Sequence, residues 1–229
     1  MSGGLLDVRG LRANYGGAVA LRGVSLSVGE GEVVALMGRN GMGKTTTIRC
    51  VMRLMQSEGA IRFAGVDLRR LPAHRTARLG IGLVPEGRRC FAPLTVRENL
   101  IAAARAGAWD LGAVERLFPR LAERSQQRAA TLSGGEQQTL TIGRALMTNP
   151  RLLILDEATE GLAPVVRQEI WEAILGLKAR GLSILLVDKS LAEIRAVADR
   201  CVILERGADV WMGRPGDLTR EMTDRYLGV

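Results

Sequence analysis

Residues Gly38-Arg39-Asn40-Gly41-Met42-Gly43-Lys44-Thr45 follow the continuous apolar run 33–37 and precede residues 45–55, a stretch of helical character. The pattern is G-x-x-x-x-G-K-[ST], and strand, loop and helix are the setting that gives it meaning. Its glycines let backbone N–H groups curl around phosphate oxygens, while the helix N-terminus adds partial positive charge. Lys44 then reaches the β- and γ-phosphates, and Thr45 offers its hydroxyl to a Mg²⁺ ion bridging them. The competing reading is a glycine-rich turn that binds nothing, and both flanking elements argue against it. The loop points to a nucleoside triphosphate.

A second apolar run, Leu152-Leu153-Ile154-Leu155, ends on Asp156-Glu157. Acids are common where a strand emerges into solvent. In a parallel α/β sheet, however, ligands bind at the carboxyl ends of the strands, where the phosphate loop also lies. Asp156 is then placed for the Mg²⁺ shell, and Glu157 to polarise a water against the γ-phosphate.

The rest of the chain fits an α/β fold. Residues 5–10, 18–28 and 80–85 read as strands punctuated by glycine turns, and 183–187 as a further buried strand. A helix over 165–179 is ended by Gly181, and 202–207 with 209–212 suggest a terminal hairpin. Residues 88–150 turn mainly helical. There Thr95-Val96-Arg97-Glu98 and Ser133-Gly134-Gly135-Glu136 both match the S/T-x-x-E capping box. Buried strands alternating with helices imply a largely parallel sheet covered on both faces, with a helical lobe inserted.

Composition narrows the class without deciding it. With 229 residues and 47% hydrophobic content, the chain can bury one sizeable core and is not disordered. No apolar run approaches the ~20 residues of a membrane span, and no signal peptide is visible at the N-terminus. Cys50, Cys90 and Cys201 show no paired spacing, which fits a reducing cytosol and excludes a disulfide framework. The net charge of +8 comes with three lysines (Lys44, Lys178 and Lys189) and 29 arginines spread along the chain, with no aromatic-interleaved basic stripe. An arginine-rich solvated surface accounts for it better than a nucleic-acid footprint.

Leu132-Ser133-Gly134-Gly135-Glu136-Gln137-Gln138 is a second glycine-rich helix start, with a hydroxyl but no lysine of its own. Two phosphate-type loops about 90 residues apart suggest that one serves a neighbour's nucleotide. This string resembles the signature of the ABC ATPases, and with residues 38–45 and 152–157 in that order the resemblance covers essentially the whole chain. It implies a P-loop NTPase fold with a mainly parallel core sheet, an N-terminal antiparallel β subdomain and an inserted helical subdomain. The core would comprise 1–87 and 151–229, and the helical part 88–150. The resemblance implies ATP and Mg²⁺ as ligands, with nucleotide contacts from Gly38, Arg39, Asn40, Gly41, Met42, Gly43, Lys44, Thr45 and Thr46. Two such domains pair head to tail, so Ser133, Gly134 and Gly135 would touch the γ-phosphate of ATP held by the partner. Tyr15, about 23 residues before the loop, stands where the family's adenine-stacking aromatic normally lies.

Three positions depart from the family pattern. Glu86, in Val84-Pro85-Glu86-Gly87-Arg88-Arg89, replaces the glutamine that senses Mg²⁺ and the attacking water. Lys189, in Val187-Asp188-Lys189, replaces the switch histidine, and Ala163 replaces an aspartate. Lys189 can contact the γ-phosphate as a point charge but cannot relay a proton as histidine does. His74, the sole histidine, reads as a surface residue.

Val84-Pro85-Glu86-Gly87-Arg88-Arg89, Glu160-Gly161-Leu162-Ala163-Pro164 and the ending Tyr226-Leu227-Gly228-Val229 look like the smaller ATPase subunit of branched-chain amino acid importers, and Lys189 is a further change. That likeness implies membrane permeases, a second identical or paralogous ATPase subunit and, indirectly, a solute-binding protein as partners. It places the chain peripherally on the cytoplasmic face of the inner membrane, with no role for nucleic acid. Importers of urea, amides or other small organic solutes remain open, because the ATPase never touches the cargo. A soluble ABC ATPase acting on DNA or ribosomes is a further alternative, as is a P-loop kinase or GTPase, against which residues 132–138 argue.

Overall fold

Val33–Met37, Leu152–Asp156 and Ser183–Val187 are buried at every position, as strands covered on both faces must be. The computed structural model describes residues 4–228. Met1 to Gly3, on which the reading of a leader-free N-terminus partly rests, and Val229 of the terminal string lie outside the described residues.

The chain opens with an antiparallel pair, β1 (Leu6–Tyr15) and β2 (Ala18–Val28). Next come β3 (Val33–Met37), α1 (Lys44–Val51), β4 (Glu58–Phe63), β5 (Val66–Asp67), α2 (Ala73–Arg78) and β6 (Ile81–Val84). Four helices follow: α3 (Val96–Ile101), α4 (Leu111–Leu117), α5 (Pro119–Glu123) and α6 (Gly134–Leu146). The chain then alternates through β7 (Leu152–Asp156), α7 (Pro164–Ala179), β8 (Ser183–Val187) and α8 (Leu191–Val197). It closes with the hairpin β9 (Arg200–Glu205) and β10 (Ala208–Gly213), and with α9 (Arg220–Tyr226).

Two sheets result. An antiparallel one runs β2-β1-β4-β5; the other runs β10-β9-β3-β8-β7-β6, parallel except for β10 at its edge. Side chains alternate across each core strand and so build two separate apolar layers. Ala35, Leu153, Leu155 and Leu186 face the helices α3 to α7. Val34, Leu36, Ile154 and Leu185 face α1 and the antiparallel sheet.

Two local expectations are corrected. The first strand does not stop at residue 10: Gly10 takes φ 57° and is absorbed as an irregularity between Val8 and Leu11, after which pairing continues to Tyr15. Helix α1 ends at Val51, short of residue 55. Arg53 turns left-handed at φ 58°, and Leu54 N–H closes on the Arg49 carbonyl at 2.8 Å. Both capping boxes form, at Thr95 with Glu98 and at Ser133 with Glu136, and Gly181 at φ 78° follows α7. His74 is exposed on α2, and all three cysteines are free. Among the described residues, no helix is long and apolar enough to cross a membrane.

Candidate active site

The carboxyl ends of β3, β6, β7 and β8 bring four loops to one edge of the parallel sheet, where open α/β sheets bind ligands. The loop after β3 is shaped by close backbone approach. Gly38 has φ 138°, and a Cβ there would lie 2.4 Å from the Leu204 carbonyl oxygen of β9. Gly43, at φ 103°, sits just before α1, where a Cβ would meet the Leu21 side chain at 2.6 Å. No other residue type fits either place without moving its neighbours.

Lys44 is 6% exposed and bends back over its own loop. Its Nζ donates to the carbonyls of Gly38 at 2.8 Å and Arg39 at 3.1 Å, and stands 3.8 Å from Glu157 Oε1. Thr45 Oγ1 donates to Asp156 Oδ1 at 3.3 Å. Asp156 is 3% exposed, and burial pushes its carboxyl up to about 6, reinforced by the charge of Glu86 and opposed by the Thr45 hydroxyl and Lys44. Glu157 occupies a left-handed turn at φ 51°, held by its N–H on the Val187 carbonyl at 2.9 Å. Burial, followed by the neighbouring Glu160, lifts its carboxyl above the usual range, to about 7. A carboxylate so placed is suited to taking a proton near neutral pH.

A cleft of about 950 Å³ lies in front of these groups. Tyr15, Asn40, Gly41, Met42, Gly43, Lys44, Thr45, Thr46, Glu86 and Glu157 line it. Tyr15 is 49% exposed, and its hydroxyl accepts a hydrogen bond from Arg49 Nη1 at 3.1 Å. The backbone of Arg39 stays in the loop, but its guanidinium turns toward Tyr226 and Gly228 and does not line the cleft.

Lys189 stands apart, on a smaller cavity of about 240 Å³ that shares Asn40, Lys44 and Glu157 with the cleft. Ser133, Gly134 and Gly135 line neither cavity. They open α6, where Ser133 Oγ accepts the Glu136 N–H at 3.3 Å and the Glu136 carboxylate accepts the Ser133 N–H at 2.8 Å.

Among the described residues, no group of three or more His, Cys, Asp and Glu side chains is arranged to hold a metal by itself. The donors near the loop are the Thr45 hydroxyl, buried Asp156 and the Glu86 carboxylate. Mg²⁺ commonly combines one or two protein oxygens with phosphate and water, so this sparse set fits the ion when nucleotide accompanies it.

Three further participants make contacts that the sequence does not show. Arg206, in the β9–β10 turn at φ 48°, lines the cleft and donates its N–H to Met42 Sδ at 3.1 Å. Arg88 donates from Nη2 to the Gly161 carbonyl at 3.0 Å, with its guanidinium against Gly134. Glu160 binds Lys189 at 2.6 Å. Only the fold brings these residues to the motifs they touch.

Comparison with known proteins identifies the family. The family described as ABC transporter matches residues 21–160. A high-affinity branched-chain amino acid transport ATP-binding protein, BraG of Pseudomonas aeruginosa, is 43% identical over 222 residues, covering 93% of this chain and 95% of that protein. A Nod factor export ATP-binding protein I of Rhizobium meliloti is 37% identical, covering 94% of this chain and 66% of that protein. Among solved structures, an ATP-binding subunit of an ABC transporter superposes with TM-score 0.82 at 34% identity, covering 96% of this chain and 94% of that one. An ATP-binding cassette of an ABC transporter in its ADP conformation gives TM-score 0.81 at 25% identity, with coverage of 96% and 95%. The chain belongs to the ABC transporter family and is one of its ATP-binding, ATP-hydrolysing subunits.

Proposed function

We propose that this chain powers a membrane importer of branched-chain amino acids or closely related small molecules. The observation that carries the reading is the 43% identity to the Pseudomonas aeruginosa transport protein across nearly the full length of both chains. The more distant export relatives extend well beyond the matched region.

In this reading Tyr15 stacks on adenine, and the backbone of residues 38–46 wraps the phosphates. Lys44 leaves the Gly38 and Arg39 carbonyls for the β- and γ-phosphate oxygens, a charge-assisted exchange for two neutral acceptors. Thr45, Asp156 and Glu86 would hold Mg²⁺, either directly or through water, and the ion would supply neutralisation of the phosphate charge. Glu157 receives a proton from the attacking water, and Lys189 contributes positive charge beside the γ-phosphate.

Ser133, Gly134 and Gly135 complete the site of a second ATPase subunit, identical or paralogous. ATP closes this head-to-tail pair and hydrolysis reopens it. The helical part, residues 88–150, carries the motion to permease subunits, with a solute-binding protein acting further upstream. The chain works peripherally at the cytoplasmic face of the inner membrane and needs no nucleic acid.

Affinity capture of the tagged chain from detergent-solubilised membranes tests this reading. Recovery of two permeases and a second ATPase supports it; recovery of nucleic acid in their place contradicts it. Uptake of labelled leucine, set against labelled urea, in the reconstituted assembly then distinguishes the cargo.

A further inference from the structure

Two loops at the site are joined by consecutive residues. Thr159 Oγ1 donates to Asp188 Oδ2 at 2.5 Å, and next to this link Lys189 Nζ lies 2.6 Å from Glu160 Oε1. The first link is buried and ties the β7–α7 loop to the β8–α8 loop. Asp188 also accepts the N–H groups of Lys189 and Ser190, at 2.7 and 2.9 Å, so the backbone beneath Lys189 is held firmly.

The second link is different in kind. Its side chains are 66% and 43% exposed, and an ion pair in water adds little to stability and opens readily. Among the described residues, Glu160 is the one hydrogen-bond partner of the Lys189 ammonium. A lysine side chain is long and flexible, so without that partner the charge would spread into solvent. With it, the ammonium stays beside the cavity that Lys44 and Glu157 also line. Arg167, on the same cavity, is already engaged by Ser190 at 2.8 Å and Glu193 at 3.3 Å. Hydrogen bonding with Glu157, and next with Lys189, holds the Glu160 carboxyl below its ordinary range, and the pairing raises the lysine.

We propose that Glu160 is a positioning residue for ATP hydrolysis: it stations the Lys189 ammonium beside Glu157, from where the ammonium transfers to the γ-phosphate. A terminal phosphate carries more charge and more acceptor oxygens than one carboxylate, so arrival of ATP draws the lysine across. The inference rests on the hydrolytic reading above and adds to it the group that places Lys189.

Steady-state ATP turnover of the full-length chain tests it in five variants: Lys189→Ala, Glu160→Gln, Glu160→Asp, the double variant Glu160→Gln/Lys189→Ala and the charge-swapped Glu160→Lys/Lys189→Glu. Glu160→Gln and Lys189→Ala should each lower kcat on the order of 3–10-fold, with KM for ATP changed less than about twofold. The double variant should lose much less than the two single losses combined, because the lysine is already gone and Glu160→Gln then changes only its direct contact with Glu157. Glu160→Asp should recover part of the loss, and the charge swap should recover none. Full turnover in Glu160→Gln, additive losses in the double variant, or recovery on charge swap would each overturn the proposal; the last would mark a purely structural pair. If Glu157→Gln loses turnover while Glu160→Gln keeps it, the positioning role fails and the hydrolytic reading stands.

Discussion

Thr45 Oγ1 and Asp156 Oδ1 meet at 3.3 Å across 111 positions of sequence. The first lies in the opening turn of α1 and the second closes β7, so the contact joins the phosphate loop to the carboxylate pair. In the proposed site, both would contribute to holding Mg²⁺. Asp156→Asn should therefore raise the Mg²⁺ concentration for half-maximal turnover on the order of 10–100-fold. Titration of turnover against Mg²⁺ at fixed ATP checks this, and an unchanged requirement would remove Asp156 from the metal shell.

Burial of Asp156 also has a consequence for stability. Its carboxyl is lifted from 3.8 to about 6 in the folded chain, so the folded state binds that proton more tightly than the unfolded state. The resulting stabilisation is complete below the unfolded value and disappears as pH rises through the folded one. Urea midpoints of the nucleotide-free chain should fall between pH 5 and pH 7.5. The fall should be smaller in Asp156→Asn, and equal falls would show that the carboxyl is not raised.

Gly38 lies at the turn from β3 into the phosphate loop. A methyl group in its place meets the Leu204 carbonyl at 2.4 Å, in a backbone region that side chains rarely adopt. Gly38→Ala should cost about 1–3 kcal/mol of stability through strain and displacement of β9. Denaturant unfolding measures it. A wild-type midpoint would mean that the strand and loop separate more easily than their packing suggests.

Ser133 has two separable duties. As the cap of α6, its loss to Ala should cost about 1 kcal/mol, seen in unfolding. As a proposed ligand for the partner's ATP, it should also matter to turnover but not to ATP binding by the isolated chain. Equilibrium binding compared with turnover in Ser133→Ala distinguishes the two. A loss confined to stability would limit Ser133 to capping.

What was legible in the sequence depended on how local its cause is. The phosphate loop, the apolar strands and both capping boxes are short-range devices, and each forms where its residues stand. Strand β4 was not foreseen: its burial comes from pairing with β1, while Glu58 and Arg62 along it read as exposed charge. Gly10 looked like a strand end because the partner that turns it into a bulge is β2, beyond any local window. Arg206 reaches the cleft only through the fold, so nothing around it in sequence marks it; Arg88 and Glu160 stand in motif strings, but their contacts with Gly161 and Lys189 are tertiary and do not show there. The position of Lys189 was visible, but its partner was not.

The central claim is that this chain hydrolyses ATP with Glu157 as the base. Glu157 lies one residue past a buried strand, held in a left-handed turn and facing Lys44 at 3.8 Å. Paired measurement of ATP affinity and turnover on Glu157→Gln tests the claim most directly. The account predicts wild-type affinity with turnover reduced on the order of 10²–10⁴-fold; near-normal turnover in that variant would contradict it.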